Sequence, residues 1–315
     1  MTVTNLKLLS EKEERFVEGH RLCAGCSEPI IARQILMATD KPVIVANATG
    51  CFEVSTTIYP YTSWNVPWIH SAFENAAPTI GGVEAAYLAL KRKGLVKEDI
   101  RFLAFGGDGA TYDIGFQAIS GAIERGSHFL YVCLNNEAYM NTGIQRSGAT
   151  MRGAQTTTCP AGTCVPGKKE FPKDLTKIII AHDLPYAAQG SPHNYKDLIE
   201  KAGKGIEIGG PAFLNVVAPC PRGWRFDPSK TIEISRLAVE TCIWPLYEFE
   251  RGTWRLTGES KRIAEGSKKK IPISEWIKSQ GRFAHLSKEK WAYVADEIQS
   301  NVDRKWEELL KLCKQ

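Results

Sequence analysis

The segment from Arg101 to Tyr139 places the strongest limits on how this chain can fold. A short apolar run, Phe102 to Phe105, is followed by Gly-Gly-Asp-Gly, a stretch with helical periodicity, and a second apolar run, Phe129 to Leu134. This order predicts a strand, a helix and a second strand that returns parallel to the first. The sequence therefore indicates an α/β fold in which a parallel sheet carries helices on both faces.

The glycine-rich turn after the first apolar run has the properties of an anion site. Glycines let backbone N–H groups approach an anion, and the helix that follows presents its positive N-terminus to it. Asp108 would repel a phosphate there unless a divalent cation lay between them. We therefore predict Mg²⁺ held by Asp108, by an oxygen from the turn Asn135-Asn136 and by a diphosphate.

The distance between the two turns supports this interpretation. Twenty-five residues separate Gly109 from Asn135, about the length that a helix and a returning strand need to bring both strand ends to one sheet edge. GDG followed at this distance by NN is similar to the diphosphate-binding module of enzymes that use thiamine diphosphate (TPP). A dinucleotide-binding fold or an ordinary turn is the alternative.

Composition excludes several other classes of protein. The chain has 315 residues, is 43% hydrophobic and carries a net charge of +5 that is spread along the sequence. Because no apolar run reaches 18 residues and the N-terminal segment is polar, we expect a cytoplasmic protein with no membrane segment. The dispersed charge gives no support for nucleic-acid binding.

Four of the nine cysteines stand at places where metal ligands are expected. Cys23 and Cys26 form a CxxC motif at the start of a predicted helix, and Cys51 and Cys220 each follow a predicted strand, 42–48 and 212–217. Four thiolates can hold zinc or a 4Fe-4S cluster. One CxxC pair with two distant cysteines fits a cluster somewhat better, but both readings remain open. The others have no assigned role: Cys133, Cys159, Cys164, Cys242 and Cys313.

Several stretches together resemble the beta subunits of pyruvate:ferredoxin oxidoreductases, which belong to the TPP-dependent 2-oxoacid:ferredoxin oxidoreductases. The resemblance extends from about residue 18 to 310. It is carried by GHRLCAGC, ATGCFEVSTTIYPYTSWNVPWIHSAFENAA, FGGDGATYDIG, NNEAYMNTGIQRSGAT, APCPRGW, AVETCIWPLYE and QGRFAHL.

The resemblance implies a role for individual residues. It makes Cys23, Cys26, Cys51 and Cys220 the ligands of one 4Fe-4S cluster close to TPP. It makes Asp108, the side chain of Asn136 and the main-chain carbonyl of Ala138 the Mg²⁺ ligands. Asn141 matches an asparagine beside the reactive carbon of the cofactor and is the predicted catalytic residue. The remaining predicted cofactor contacts are Cys51, Glu53, Gly107, Gly109, Ala110 and Thr111.

The resemblance also implies an activity and partners. The expected reaction is oxidative decarboxylation of pyruvate with coenzyme A, giving acetyl-CoA, CO₂ and reduced ferredoxin. The sequence contains only one diphosphate-binding module, so the rest of the cofactor site is expected from an alpha subunit. Gamma and delta subunits, or fusions of them, complete the expected enzyme. The chain alone is then predicted to be inactive.

Other readings of the site stay open at the level of sequence. Thr150-Met151-Arg152 stands where pyruvate enzymes of the family usually have Thr-Pro, and the extra Arg152 favours a more anionic substrate such as oxalate. An oxalate oxidoreductase would yield only CO₂ and would need no coenzyme A. A non-oxidative TPP enzyme with structural zinc, or a non-catalytic subunit that has kept the fold, is a more distant alternative.

The chain is predicted to contain two parts. Residues 1–225 form the TPP- and cluster-binding α/β domain, and residues 226–315 form an extension with a helix, a hairpin and a long helix that packs on partner subunits. Within the first part we predict a helix from Gly81 to Lys93, a helix capped by Ser191, and a long functional loop from Arg146 to Asp174.

Overall fold

A single eight-stranded sheet organises the computed structural model, which describes residues 5–314. Residues 1–4, the start of the polar N-terminal segment, lie outside the described residues. The strands are β1 (Val43–Ala48), β2 (Trp68–Ser71), β3 (Arg101–Gly107), β4 (Leu130–Asn135), β5 (Tyr186–Gly190), β6 (Ala212–Val217), β7 (Tyr247–Glu250) and β8 (Thr253–Leu256).

Six strands of the sheet are parallel. The order is β2-β1-β3-β4-β6-β5-β7-β8, in which β7 pairs antiparallel with both β5 and β8. The two apolar runs around the glycine-rich turn are the neighbours β3 and β4, with Gly107 opposite Leu134. The ends of both strands therefore meet at one edge, where parallel sheets bind their ligands.

Helices cover both faces of the sheet, as predicted. They are α1 (Leu6–Ser10), α2 (Glu28–Leu36), α3 (Cys51–Thr56), α4 (Ala76–Arg92), α5 (Phe116–Glu124), α6 (Leu175–Ile180), α7 (Tyr195–Glu207), α8 (Pro221–Trp224), α9 (Thr231–Glu240), α10 (Gly258–Ala264), α11 (Ile273–Lys278) and α12 (Ala292–Leu312). No helix within residues 5–314 is long and apolar enough to cross a membrane.

Alternate residues of the central strands point into two separate cores. Leu103 and Phe105 join the core that α2 and α7 complete, whereas Phe102 and Ala104 join the core under α4, α5 and α12. Successive side chains of a strand point to opposite faces, so a strand that is buried on both sides needs apolar residues at nearly every position. This explains the continuous apolar runs of the sequence.

Two helix starts differ from the prediction. The helix expected from Gly81 begins at Ala76, and Gly81 lies inside it, where a side chain would press against Ser127. The glycine therefore serves close packing and does not start the helix. The helix expected after Ser191 is capped by Asn194, whose side chain accepts a hydrogen bond from the Asp197 amide.

The C-terminal part contains the predicted elements and two short helices that were not predicted, α10 and α11. The hairpin β7–β8 pairs with β5 and so extends the main sheet. Val294, Ile298 and Leu309 of α12 are buried in the core under α4 and α5. Contact of residues 226–315 with partner subunits stays a prediction, as does the domain boundary.

Candidate active site

The glycine-rich turn and the Asn-Asn turn lie side by side. Asp108 directly follows β3, Asn136 directly follows β4, and the Asn136 amide donates a 3.2 Å hydrogen bond to Asp108 Oδ1. Beyond Asp108 the chain forms a π-helical turn, Gly109–Asp113, before α5 begins. A side chain at Gly109 would collide with the ring of Tyr139, so glycine is required where the two turns approach.

Asp108 is a buried carboxylate, with 0% of its surface exposed. Burial raises its pKa to about 8, although the hydroxyl of Ser147 donates a short hydrogen bond to it. Among residues 5–314 no lysine or arginine forms an ion pair with this carboxylate. A buried carboxylate without a cationic partner fits a site for a divalent cation. The sequence analysis did not identify Ser147 as a neighbour of Asp108, because no motif marks it.

The side chain of Asn136 connects this turn to the N-terminal part of the chain. Its Oδ1 atom accepts a 3.3 Å hydrogen bond from the Ala138 amide, and its Nδ2 atom donates a 3.1 Å bond to Glu28 Oε1. Glu28 begins α2, is buried, and its second oxygen has no hydrogen-bond partner within residues 5–314. Burial raises the pKa of Glu28 to about 7.

Glu28 was also missed by the sequence analysis. The available signal was its place two residues after Cys26, but an acidic residue in the first turn of a helix is most simply explained by the helix dipole.

A cleft at this sheet edge brings most of the predicted cofactor contacts together. Thr111, which donates a 2.7 Å hydrogen bond to the Gly107 carbonyl, is fully buried and does not line the cleft. Glu53 does not line it either and lies 3.7 Å from His70 Nδ1. The predicted residues that line the cleft are Cys51, Gly107, Gly109, Ala110, Asn136, Ala138 and the exposed Asn141.

The four predicted cluster cysteines occupy one neighbourhood beside this cleft. Cys26 interacts electrostatically with Cys51 and Cys220, and Cys23 does so with Cys51 and Cys220. Burial, followed by the charge of Glu28, raises the pKa of Cys26 and of Cys51, and burial raises that of Cys220 to about 11. Grouped, desolvated thiols of this kind need a positively charged centre to be held as thiolates.

Two kinds of metal centre use thiolate ligands in different ways. Within residues 5–314 no three His, Cys, Asp or Glu side chains are arranged to hold a single metal ion. Zinc binds all its thiolates at about 2.3 Å from one atom, whereas a 4Fe-4S cluster distributes them over four irons. Four thiolates in one neighbourhood can serve either kind of centre. All nine cysteines are free of disulfides.

Arg152, on which the oxalate alternative depends, lies away from the cleft. Its guanidinium binds Glu297 of α12, with 2.8 Å between Nε and Oε2, and stacks on Phe171. Arg152 does not line the cleft. The side chain thus anchors the C-terminal helix to the long loop.

Comparisons with known proteins agree with this geometry. A family model described as the thiamine pyrophosphate enzyme C-terminal TPP-binding domain matches residues 48–216. Pyruvate synthase subunit PorB of Thermotoga maritima is 49% identical, covering 98% of this chain and 96% of that protein. The chain belongs to the PorB family. The Methanocaldococcus jannaschii PorB is 50% identical over 93% of this chain and 96% of that protein.

Two more distant proteins place the PorB family in a wider group. The ketoisovalerate oxidoreductase subunit VorB of Pyrococcus abyssi is 40% identical, covering 96% of this chain and 94% of that protein. A solved 2-oxoglutarate:ferredoxin oxidoreductase from Magnetococcus marinus aligns with a TM-score of 0.55 and 19% identity over 72% of this chain and 81% of that chain, which supports the fold. The predicted family, fold class and TPP-binding domain are confirmed: the chain is a subunit of a TPP-dependent 2-oxoacid:ferredoxin oxidoreductase.

Proposed function

We propose that this chain binds Mg²⁺–TPP and one 4Fe-4S cluster in a cytoplasmic enzyme that oxidises pyruvate. Asp108, Asn136 and the Ala138 carbonyl hold the Mg²⁺, and Cys23, Cys26, Cys51 and Cys220 hold the cluster. The observation that carries the proposal is the position of Cys51, which lines the cleft and also belongs to the cysteine group.

The residues around the cleft have separate tasks in this proposal. The buried carboxylate of Asp108 supplies negative charge to the cation, and Asn136 supplies a neutral oxygen. Asn141, at the exposed mouth of the cleft, donates a hydrogen bond to the oxygen of the reacting substrate and leaves the charge there unneutralised. When bound, TPP supplies the decarboxylation chemistry, and the cluster supplies one-electron acceptance.

Pyruvate is the substrate that the relatives favour. The PorB relatives are named as subunits of pyruvate synthases and are up to 50% identical to this chain. The oxalate alternative depended on Arg152, and the ion pair of Arg152 with Glu297 takes that side chain away from the cleft. We therefore assign coenzyme A as the acyl acceptor and ferredoxin as the electron acceptor.

The proposal includes partner subunits. One TPP-binding module matches the chain, and β2 forms the edge of the sheet beside β1, whose last residue Ala48 lines the cleft. An alpha subunit would cover this side and complete the cofactor site, and gamma and delta subunits would complete the electron-transfer and coenzyme A functions.

An anaerobic assay of the purified complex tests this function. Pyruvate, oxalate, 2-oxoglutarate and 2-ketoisovalerate are each supplied with and without coenzyme A, and reduction of ferredoxin is measured. We expect the fastest reduction with pyruvate and a requirement for coenzyme A, and no turnover by this chain alone. Faster reduction with oxalate, independent of coenzyme A, or turnover by the isolated chain would contradict the proposal.

A further inference from the structure

A fully buried arginine lies behind the predicted magnesium-binding turn. Arg282 belongs to the motif QGRF in a 3₁₀ helix, Gly281–Ser287, of the C-terminal part, and only 2% of its surface is exposed. A guanidinium keeps its charge at every physiological pH, so its burial is costly unless good contacts compensate it. The contacts of Arg282 therefore indicate what it is retained for.

Arg282 has one charged partner and an aromatic surround. Its Nη1 atom lies 2.8 Å from Oε2 of Glu137, whose side chain is equally buried. The guanidinium stacks 4.0 Å from the centre of the Trp224 ring and 4.9 Å from that of Phe283. Its Nε donates a 2.9 Å hydrogen bond to Gln280. Planar stacking combined with a fork of donors is specific to arginine.

Both main contacts of Arg282 act on the same three-residue turn. Glu137 stands between Asn136 and Ala138 and has a φ of +65°, a left-handed conformation that is uncommon for a residue with a side chain. Trp224 donates a 2.7 Å hydrogen bond from Nε1 to the Asn136 carbonyl. The ion pair thus fixes the middle of the turn, and the indole fixes its beginning.

We propose that Arg282 is a positioning residue for the magnesium-binding turn and acts through Glu137 and Trp224. The inference rests on the proposed function, since it takes Asn136 and Ala138 as Mg²⁺ ligands. The guanidinium holds Glu137 in its left-handed conformation and the Trp224 indole against the turn, so that the oxygens of Asn136 and Ala138 keep the spacing that the small cation demands.

The test is calorimetric titration of Mg²⁺ into the assembled, TPP-saturated complex, which needs no turnover. Variants Arg282→Gln and Glu137→Gln are each expected to raise the Kd for Mg²⁺ about tenfold, the lower end of what loss of a ligand's supporting contact costs. Because the two residues act as a unit, the double variant should bind no more weakly than either single variant.

Val302→Ala is the control, because Val302 is buried in the C-terminal helix and does not line the cleft. It is expected to lower thermal stability but to leave the Kd unchanged. The inference fails if Arg282→Gln binds Mg²⁺ with the wild-type Kd, or if Val302→Ala raises the Kd as much as Arg282→Gln does. It also fails if the effects of Arg282→Gln and Glu137→Gln on the Kd add in the double variant. A wild-type complex that binds no Mg²⁺ with TPP would instead overturn the proposed function.

Discussion

At the scale of single residues, the site is defined by two buried carboxylates that form no ion pair with any lysine or arginine of residues 5–314. Asp108 and Glu28 lie on either side of Asn136, and burial raises the pKa of both. A folded chain normally avoids such groups, since burying an unpaired charge is costly. The retention of Asp108 is explained if a bound divalent cation supplies the missing positive charge.

The raised pKa of Asp108 predicts a pH dependence of Mg²⁺ binding. Burial raises that pKa to about 8, so below this pH the carboxyl carries a proton that the cation must displace. In titrations of the TPP-saturated complex, the affinity for Mg²⁺ should rise from about pH 6 to about pH 8 and then level off. Asp108→Asn should weaken binding by about 100-fold or more and remove this dependence.

Ser147→Ala provides a comparison for that measurement. Ser147 donates a hydrogen bond to Asp108 and so favours the ionised carboxylate. Its loss should move the rise in affinity to higher pH, and binding should persist. A wild-type affinity that is flat across this pH range would contradict the assignment of Asp108.

The part of the site that the sequence predicted is the part encoded locally. The GDG and NN turns were predictable because each follows an apolar strand, and parallel neighbours bring their ends together. Glu28, Ser147 and Arg282 were not, because each reaches the site from a distant segment and its role depends on contacts that no local pattern records.

At the scale of elements, the proposed cluster ligands stand where regular structure begins or ends. Cys51 is the first residue of α3, Cys220 directly precedes α8, and a single residue, Ser27, separates Cys26 from α2. The Gly223 amide at the start of α8 donates a 3.3 Å hydrogen bond to Cys220 Sγ. Backbone N–H groups at such positions favour thiolates and so oppose part of the rise in pKa that burial causes.

Element docking can be tested at α10, which joins the C-terminal part to α7. Glu259 accepts a 3.0 Å hydrogen bond from Asn194 and lies 3.4 Å from His193 Nε2. The neighbouring His193 imidazole holds the pKa of Glu259 well below its usual range. Folding therefore stabilises the charged form of Glu259. This contribution to stability is fully present above the pKa that Glu259 has in the unfolded chain, and it is lost as the pH falls through its lower pKa in the folded state.

Glu259→Gln should accordingly destabilise α10 by about 2 kcal/mol at neutral pH. The difference from wild type should shrink as the pH falls below about 4. Hydrogen–deuterium exchange of the purified complex measures this destabilisation, and we expect α10 to exchange faster in Glu259→Gln than in wild type. Glu265→Gln, an exposed residue just after the same helix, should leave exchange unchanged. Equal exchange in Glu259→Gln and wild type would contradict this account.

At the scale of the whole molecule, the sheet brings the predicted magnesium site and the predicted cluster cysteines Cys51 and Cys220 to the same edge. Strand β3 ends at the predicted magnesium site, and β1 and β6 are followed by Cys51 and Cys220. The charge of Asp108 contributes to the raised pKa of Cys51, after burial and the charges of Glu28, Cys220 and Cys23. The strand order was not predictable from sequence, because the C-terminal hairpin joins the sheet through pairing with the distant β5.

The most direct measurement of the central claim is an iron-edge anomalous map from anaerobic crystals of the assembled complex with Mg²⁺ and TPP. The account predicts iron density bounded by the sulfurs of Cys23, Cys26, Cys51 and Cys220, beside the cation at Asp108. Iron density away from these four cysteines, or a signal among them at the zinc edge alone, would contradict it.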